Sequence, residues 1–178
     1  RFSRTRGAEA VEKGMLERKN VPLLLAMLEK HNLPVTWATV GHLLLHECRR
    51  GDDGRAHPEM PRPRFFSNRN WDYSEGDWYG HDPCTDLWRD PAWYASDLVD
   101  MILQSGVGHE IGCHSFSHAD FTYAHCTKEL ADAELDGCIR AAAVKDVKLS
   151  SMVFPGGTFG NYESLKENKA VLGSGAVL

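Results

Sequence analysis

Apolar positions divide the chain into segments of two periods. Over residues 8–31, Leu16, Leu23, Leu24, Met27 and Leu28 recur at three and four with Glu and Lys between them, the pattern of an amphipathic helix. Pro22 interrupts it, so the helix proper is predicted to begin near Val21, capped by Asn20, and to end at Asn32. Residues 34–40 are β-branched and apolar, as in a buried parallel strand, and 41–48 read as a short helix. Asp90-Pro91 opens a helix over 92–105, closed by Gly106. Residues 107–113 alternate as a strand, and 119–125 read as a loop. Thr127 caps a helix to about Val144, with Glu129 in its first turn. A strand at 149–154, a Gly-rich turn at 155–160 and a helix at 161–169 follow.

Helix and strand alternate along the chain, which predicts an α/β fold with a parallel sheet. Residues 49–90 break the alternation. They are rich in Pro, Gly, Asp and Arg, yet hold Phe65, Phe66, Trp71, Tyr73, Trp78, Tyr79 and Trp88. A loop of that length in a compact domain is usually functional, and its aromatic content argues against disorder. The opening residues 1–7 are basic and unpatterned and read as a loop, whereas residues 170–178 are small and apolar and read as an altered terminus.

Composition narrows the function classes. The 178 residues are 42% hydrophobic and 25% charged, values of one globular domain, and no apolar run is long enough to span a membrane. A net charge of −5 argues against a nucleic-acid backbone as partner. The five cysteines (Cys48, Cys84, Cys113, Cys126 and Cys138) cannot all pair within the chain and show no CxxC spacing, which favours a reducing, cytoplasmic setting.

The chemistry concentrates at 108–118, Gly-His-Glu-Ile-Gly-Cys-His-Ser-Phe-Ser-His. The strand ends at His114, and His118 follows four residues later. A helical turn there would place both imidazoles on one face, able to share a divalent metal and leaving room for a further ligand. Imidazole ligands suit zinc. Spacing alone is weak in a chain with nine His: His42 and His46 repeat it, and are read as the side of an ordinary helix. Cys113 reads as core packing, and Cys126 as a weaker candidate for a soft ligand.

The segment HEIGCHSFSH resembles the His-Ser/Thr-x-x-His motif of the NodB-homology polysaccharide deacetylases, carbohydrate esterase family 4. The helix at 21–31 with Leu33 to Gly41 resembles that family's helix, strand and glycine, and Ser151 to Gly156 its next strand and proline motif. The resemblance covers roughly residues 10 to 168, with a divergent middle. It implies part of a distorted (β/α) barrel, because three strands cannot close one. It also implies a metal-dependent hydrolase that removes N-acetyl groups from an amino-sugar polymer, with His114 and His118 on the metal.

Two Asp residues of the family's first strand, a metal ligand and the base, have no counterpart, since no Asp precedes Asp52; the base is expected upstream of Arg1. The family's late catalytic His has no match after Val153, and glycines stand where an Arg often follows the proline. Asp72, Asp77, Asp82, Asp86 and Asp120 are candidate replacement ligands, each read first as a solvated loop charge. Pro155, Gly156 and Gly157 read either as a backbone approach to the substrate oxyanion or as a plain turn. Trp71, Trp78 and Trp88 read either as platforms for sugar faces, in a lid over 62–90, or as the loop's own small core. Two rival functions stay open: a silent carbohydrate-binding or scaffold module, and a deacylase or deformylase acting on a small nucleotide-linked sugar or cyclic amide.

Overall fold

The computed structural model describes residues 8–67, 71–73 and 76–168. The opening loop at 1–7 and the altered terminus at 170–178 lie outside the described residues. Helix α1 (Ala8–Lys30) runs unbroken through Pro22, contrary to the expected start near Val21. A proline forfeits one helical hydrogen bond, and contacts on both sides of it hold this helix together. Ahead of it, Arg18 donates to Pro91 O at 3.4 Å and Tyr94 O at 3.1 Å and pairs with Asp97; beyond it, Leu25 and Leu28 are buried. The buried face runs through Gly14, Arg18, Val21, Leu25 and Leu28, rotated from the predicted stripe; Leu16, Leu23, Leu24 and Met27 are exposed. Asn32 ends the helix as expected, with φ 50° and the Leu33 amide donating back to Leu28 O.

Strand β1 (Thr36–Thr39) pairs in parallel with the later strand Glu110–Cys113, Thr36 opposite Glu110 and Thr39 opposite Cys113. A parallel bridge from Cys113 to Met152 adds the third predicted strand on the other side. All three are shorter than predicted. β1 alternates between exposed and half-buried residues, so it is not covered on both faces as its apolar composition suggested. The fold is α/β, with small sheets among the described residues and no closed barrel.

The expected helix at 41–48 is a 3₁₀ turn, Gly41–Leu44, that lies against α3 (Lys128–Ala143). A Cβ on Gly41 would come within 2.8 Å of the Cys138 backbone, so only glycine permits this approach. The Thr127 hydroxyl caps α3 by accepting from the Leu130 amide, as predicted. α2 (Ser96–Leu103) starts later than predicted because Ala92, Trp93 and Tyr94 are buried in turns ahead of it. A short last helix, α4 (Tyr162–Glu167), packs on α3.

The aromatic segment is ordered by a core of its own. Two short antiparallel strands, β2 (Phe66–Ser67) and β3 (Asp72–Tyr73), sit within it, and the Glu110–Cys113 strand becomes β4. Trp71, Tyr73, Trp78, Tyr79, Trp93 and Tyr94 pack together with Phe116 of the histidine segment. Arg62 ties the loop down through the carbonyls of Ala56, His57 and Met60, each at 2.6 Å, and a forked pair with Asp77 at 3.1 Å.

Candidate active site

β4 delivers His114 to the end of the sheet, where the His114 amide still bonds Thr39 O. The chain then turns, but not helically. Ser115 and His118 both take positive φ, 56° and 63°, and the bend between them brings the two imidazole centroids to 4.8 Å at an interplanar angle of 70°. The pair predicted from HxxxH therefore meets, through left-handed residues rather than a helical turn.

Supports converge on this bend from below. The Gly41 amide donates to Ser115 O at 2.8 Å and the His42 amide to Phe116 O at 3.0 Å. Glu134 of α3, fully buried, accepts from the Ser117 amide at 2.7 Å, the Ser117 hydroxyl at 2.5 Å and the Tyr79 hydroxyl at 3.1 Å. Burial pushes its carboxyl above the usual range, against the pull of the Ser117 donors.

His114 Nδ1 lies 2.7 Å from Val153 O. A carbonyl only accepts, so Nδ1 carries the proton and Nε2 presents its lone pair, the tautomer a metal ligand needs. Burial lowers the His114 pKa, and burial together with His114 lowers that of His118 to about 4, so both rings are neutral at neutral pH. The Trp71 indole donates to His118 O at 3.2 Å, and its ring lies 5.8 Å from that of His118. Two neutral imidazoles held this way fit a divalent cation. Among the described residues, no Asp, Glu or Cys joins them closely enough to complete a three-ligand set.

The remaining sequence candidates fall elsewhere. Asp120 is buried, not solvated, and accepts from the Thr122 amide and hydroxyl and from His125 Nδ1 at 3.1 Å. Asp82 is also buried, and belongs to a second cluster. Trp71 and Trp78 are buried in the loop's core, Trp78 donating to the Ser117 hydroxyl at 2.9 Å, which removes their faces from a sugar. Trp88 is 80% exposed and lies against His46. Pro155, Gly156 and Gly157 form a 3₁₀ turn in which the Gly157 amide already bonds Phe154 O at 3.3 Å, the plain-turn alternative. The sulfur of Cys126 is buried against Thr127 O, outside either cluster.

The second cluster was misread in the sequence. His42, taken for a helix side, is buried with Cys48, His57 and Asp82, their potential ligand atoms all within 4.8 Å of one another. His42 Nε2 and His57 Nε2 lie 2.7 and 2.8 Å from the same oxygen, Asp82 Oδ2. Burial alone would raise the Asp82 carboxyl, but the two histidines hold it well below the usual carboxylate range; burial raises the Cys48 thiol. The spacing of these four residues follows no familiar motif, so only the fold reveals them.

Parallel strands alternating with helices, and a histidine pair at a strand's exit, define an α/β domain with a candidate site at the end of its sheet. The family model described as polysaccharide deacetylase matches residues 10–171, and the chain belongs to that family, as the resemblance implied. The family implies a hydrolase acting on amide bonds. No curated protein and no solved structure matches the chain. Among the described residues no helix is long and apolar enough to cross a membrane.

Proposed function

We propose that the chain is part of the catalytic domain of a divalent-metal N-deacetylase acting on an N-acetylated amino-sugar polymer, with His114 and His118 holding the metal. The observation that carries this reading is the Nδ1–Val153 bond of His114, which leaves Nε2 as a lone pair beside the His118 ring. A bound divalent cation, zinc by ligand type, supplies Lewis acidity toward an acetamide oxygen. His114 is oriented by the third strand, and His118 by the left-handed bend that Glu134 anchors. Trp71 lies against one side of His118, its ring 5.8 Å away. The base and the third ligand are assigned to residues encoded ahead of Arg1, on a strand completing more of a (β/α) barrel. β1 supports this, because β4 is its only strand partner among the described residues.

The test is acetate release from a chitotetraose-length oligomer, measured with and without the residues encoded ahead of Arg1. The longer protein should turn over. The 178 residues alone should be slower by roughly 10²–10⁴, the usual worth of a general base. His114→Ala or His118→Ala in the longer protein should abolish release, and activity surviving both changes overturns the assignment. A silent carbohydrate-binding module is the second reading, favoured by the lack, among the described residues, of a carboxylate at the pair. Oligomer binding without acetate release by the longer protein would establish it.

A further inference from the structure

We infer that His42, Cys48, His57 and Asp82 form a second metal site, a closed structural zinc centre that pins the aromatic segment beneath the His114–His118 bend. This stands independently of the function assigned to His114 and His118.

The donor set is the first argument. Two imidazoles, one thiol and one carboxylate are a four-ligand nitrogen, sulfur and oxygen set of the kind tetrahedral zinc takes, and sulfur with imidazole disfavours magnesium or calcium. Cys48 Sγ lies 3.6 Å from Asp82 Oδ2, already the separation of two ligands on one zinc. The imidazole nitrogens sit closer to that oxygen, at 2.7 and 2.8 Å, and a small rotation of the carboxylate opens the roughly 3.3 Å that tetrahedral geometry asks for.

The second argument is the tautomers. His42 Nδ1 lies 3.2 Å from Trp93 O, so that nitrogen carries a proton. His57 Nδ1 lies 3.6 Å from Glu59 Oε1, beyond hydrogen-bond reach, which leaves its Nε2 free to turn to a cation. With its Nδ1 proton turned toward Trp93 O, a neutral His42 ring aims an Nε2 lone pair at the carboxylate oxygen, acceptor against acceptor. A cation among them resolves the conflict. Outward Nδ1 partners that fix Nε2 as the ligand are the usual second shell of zinc histidines.

Charge is the third. His42, His57 and Asp82 are each no more than 5% exposed. Zn²⁺ with one thiolate, one carboxylate and two neutral imidazoles sums to zero, which suits a dry interior.

Surroundings make the site structural rather than catalytic. The rings of Phe116, Trp93 and Tyr94 close over His42, and the Tyr94 hydroxyl caps the cluster at 3.2 Å from Cys48 Sγ and 3.3 Å from Asp82 Oδ1, leaving no open position for substrate. The four residues come from the 3₁₀ turn and from three places in a segment poor in helix and strand, the kind of chain a metal crosslink orders. Phe116 packs on both His42 and His57, so the cluster supports the bend directly.

The experiment is cobalt substitution and zinc analysis on the 178-residue protein and on a His114→Ala/His118→Ala double variant. The double variant should hold one equivalent of zinc and the parent at least that, and both should show a thiolate-to-cobalt charge-transfer band after exchange. Cys48→Ser should lose the band, while Cys84→Ser and Cys126→Ser keep it. Should Cys48→Ser fail to fold, X-ray absorption on the double variant decides: one sulfur at about 2.3 Å among nitrogen and oxygen neighbours supports the site. A double variant without zinc and without the band, or a band that survives Cys48→Ser, overturns it. Loss of acetate release when the same double change is made in the longer protein, with this zinc retained, separates the two sites.

Discussion

Ser117 is bonded to Glu134 twice, through its amide to Oε2 at 2.7 Å and through its hydroxyl to Oε1 at 2.5 Å. A buried carboxylic side chain on α3 thus holds the backbone between His114 and His118, and the Tyr79 hydroxyl brings the aromatic segment onto the same group. Glu134→Gln keeps the shape but replaces one acceptor by a donor, which leaves a buried amide or hydroxyl without a partner. It should cost about 1–3 kcal/mol of stability. Denaturant unfolding of the two proteins checks this, and equal midpoints would show that the bend does not depend on Glu134.

Acid should weaken the fold through His118. Its folded pKa is about 4 against an ordinary value of 6.5, lowered first by burial and then by His114. The unfolded chain therefore binds the proton more readily. This contribution is fully present above the unfolded value and is lost as pH falls from 6.5 toward 4. In metal-free protein, the stability of the parent relative to His118→Gln should decline by on the order of 1 kcal/mol between about pH 7 and about pH 4.5, allowing for partial exposure of the ring. A difference that does not change with pH refutes it.

Sequence pattern carried the fold further than it carried the site. Alternating helix and strand, the Thr127 cap and the Asn32 terminus are local signals, and local physics decides them. The face of α1 is not local: Gly14 and Leu25 are buried because α2 and Arg18's partners lie on that side, while more apolar Leu23 and Met27 face out. His114 and His118 are legible because both come from one short stretch. His42, Cys48, His57 and Asp82 are spread over some forty residues with only a 3₁₀ turn and two two-residue strands to phase them, so their meeting depends on the tertiary path. Asp82 was misjudged for a related reason, since its histidines converge on it from far along the chain, whereas Asp120 is buried against its own neighbours Thr122 and His125.

The tryptophans separate by burial. Trp78 is fully buried and bonded to Ser117, so Trp78→Ala should cost about 3–5 kcal/mol. Trp88 is exposed, and Trp88→Ala should change stability by no more than about 0.5 kcal/mol. Of the three, only Trp88 keeps a face open to a sugar. Calorimetric titration of a chitotetraose-length ligand into Trp88→Ala shows whether that face binds; unchanged affinity removes the last of the predicted platforms.

Gly156 joins the third strand to the wall beside His118. Its φ of 57° lies in the left-handed region, and a Cβ there would come within 2.3 Å of the Trp71 ring. Trp71 cannot simply swing away, because its indole bonds His118 O and its ring belongs to the buried core of the aromatic segment. Gly156→Ala therefore combines backbone strain with overpacking, and should cost about 2–3 kcal/mol. The displaced ring pushes on the backbone of His118, so the variant should also lose metal at the His114–His118 pair. The zinc assigned to the His42 cluster should stay. Two metals read separately make the outcome specific: zinc content falling by one equivalent with the thiolate-to-cobalt band intact is the expected result. A variant as stable as the parent, with both metals retained, would show that Trp71 and Gly156 are not in the contact described.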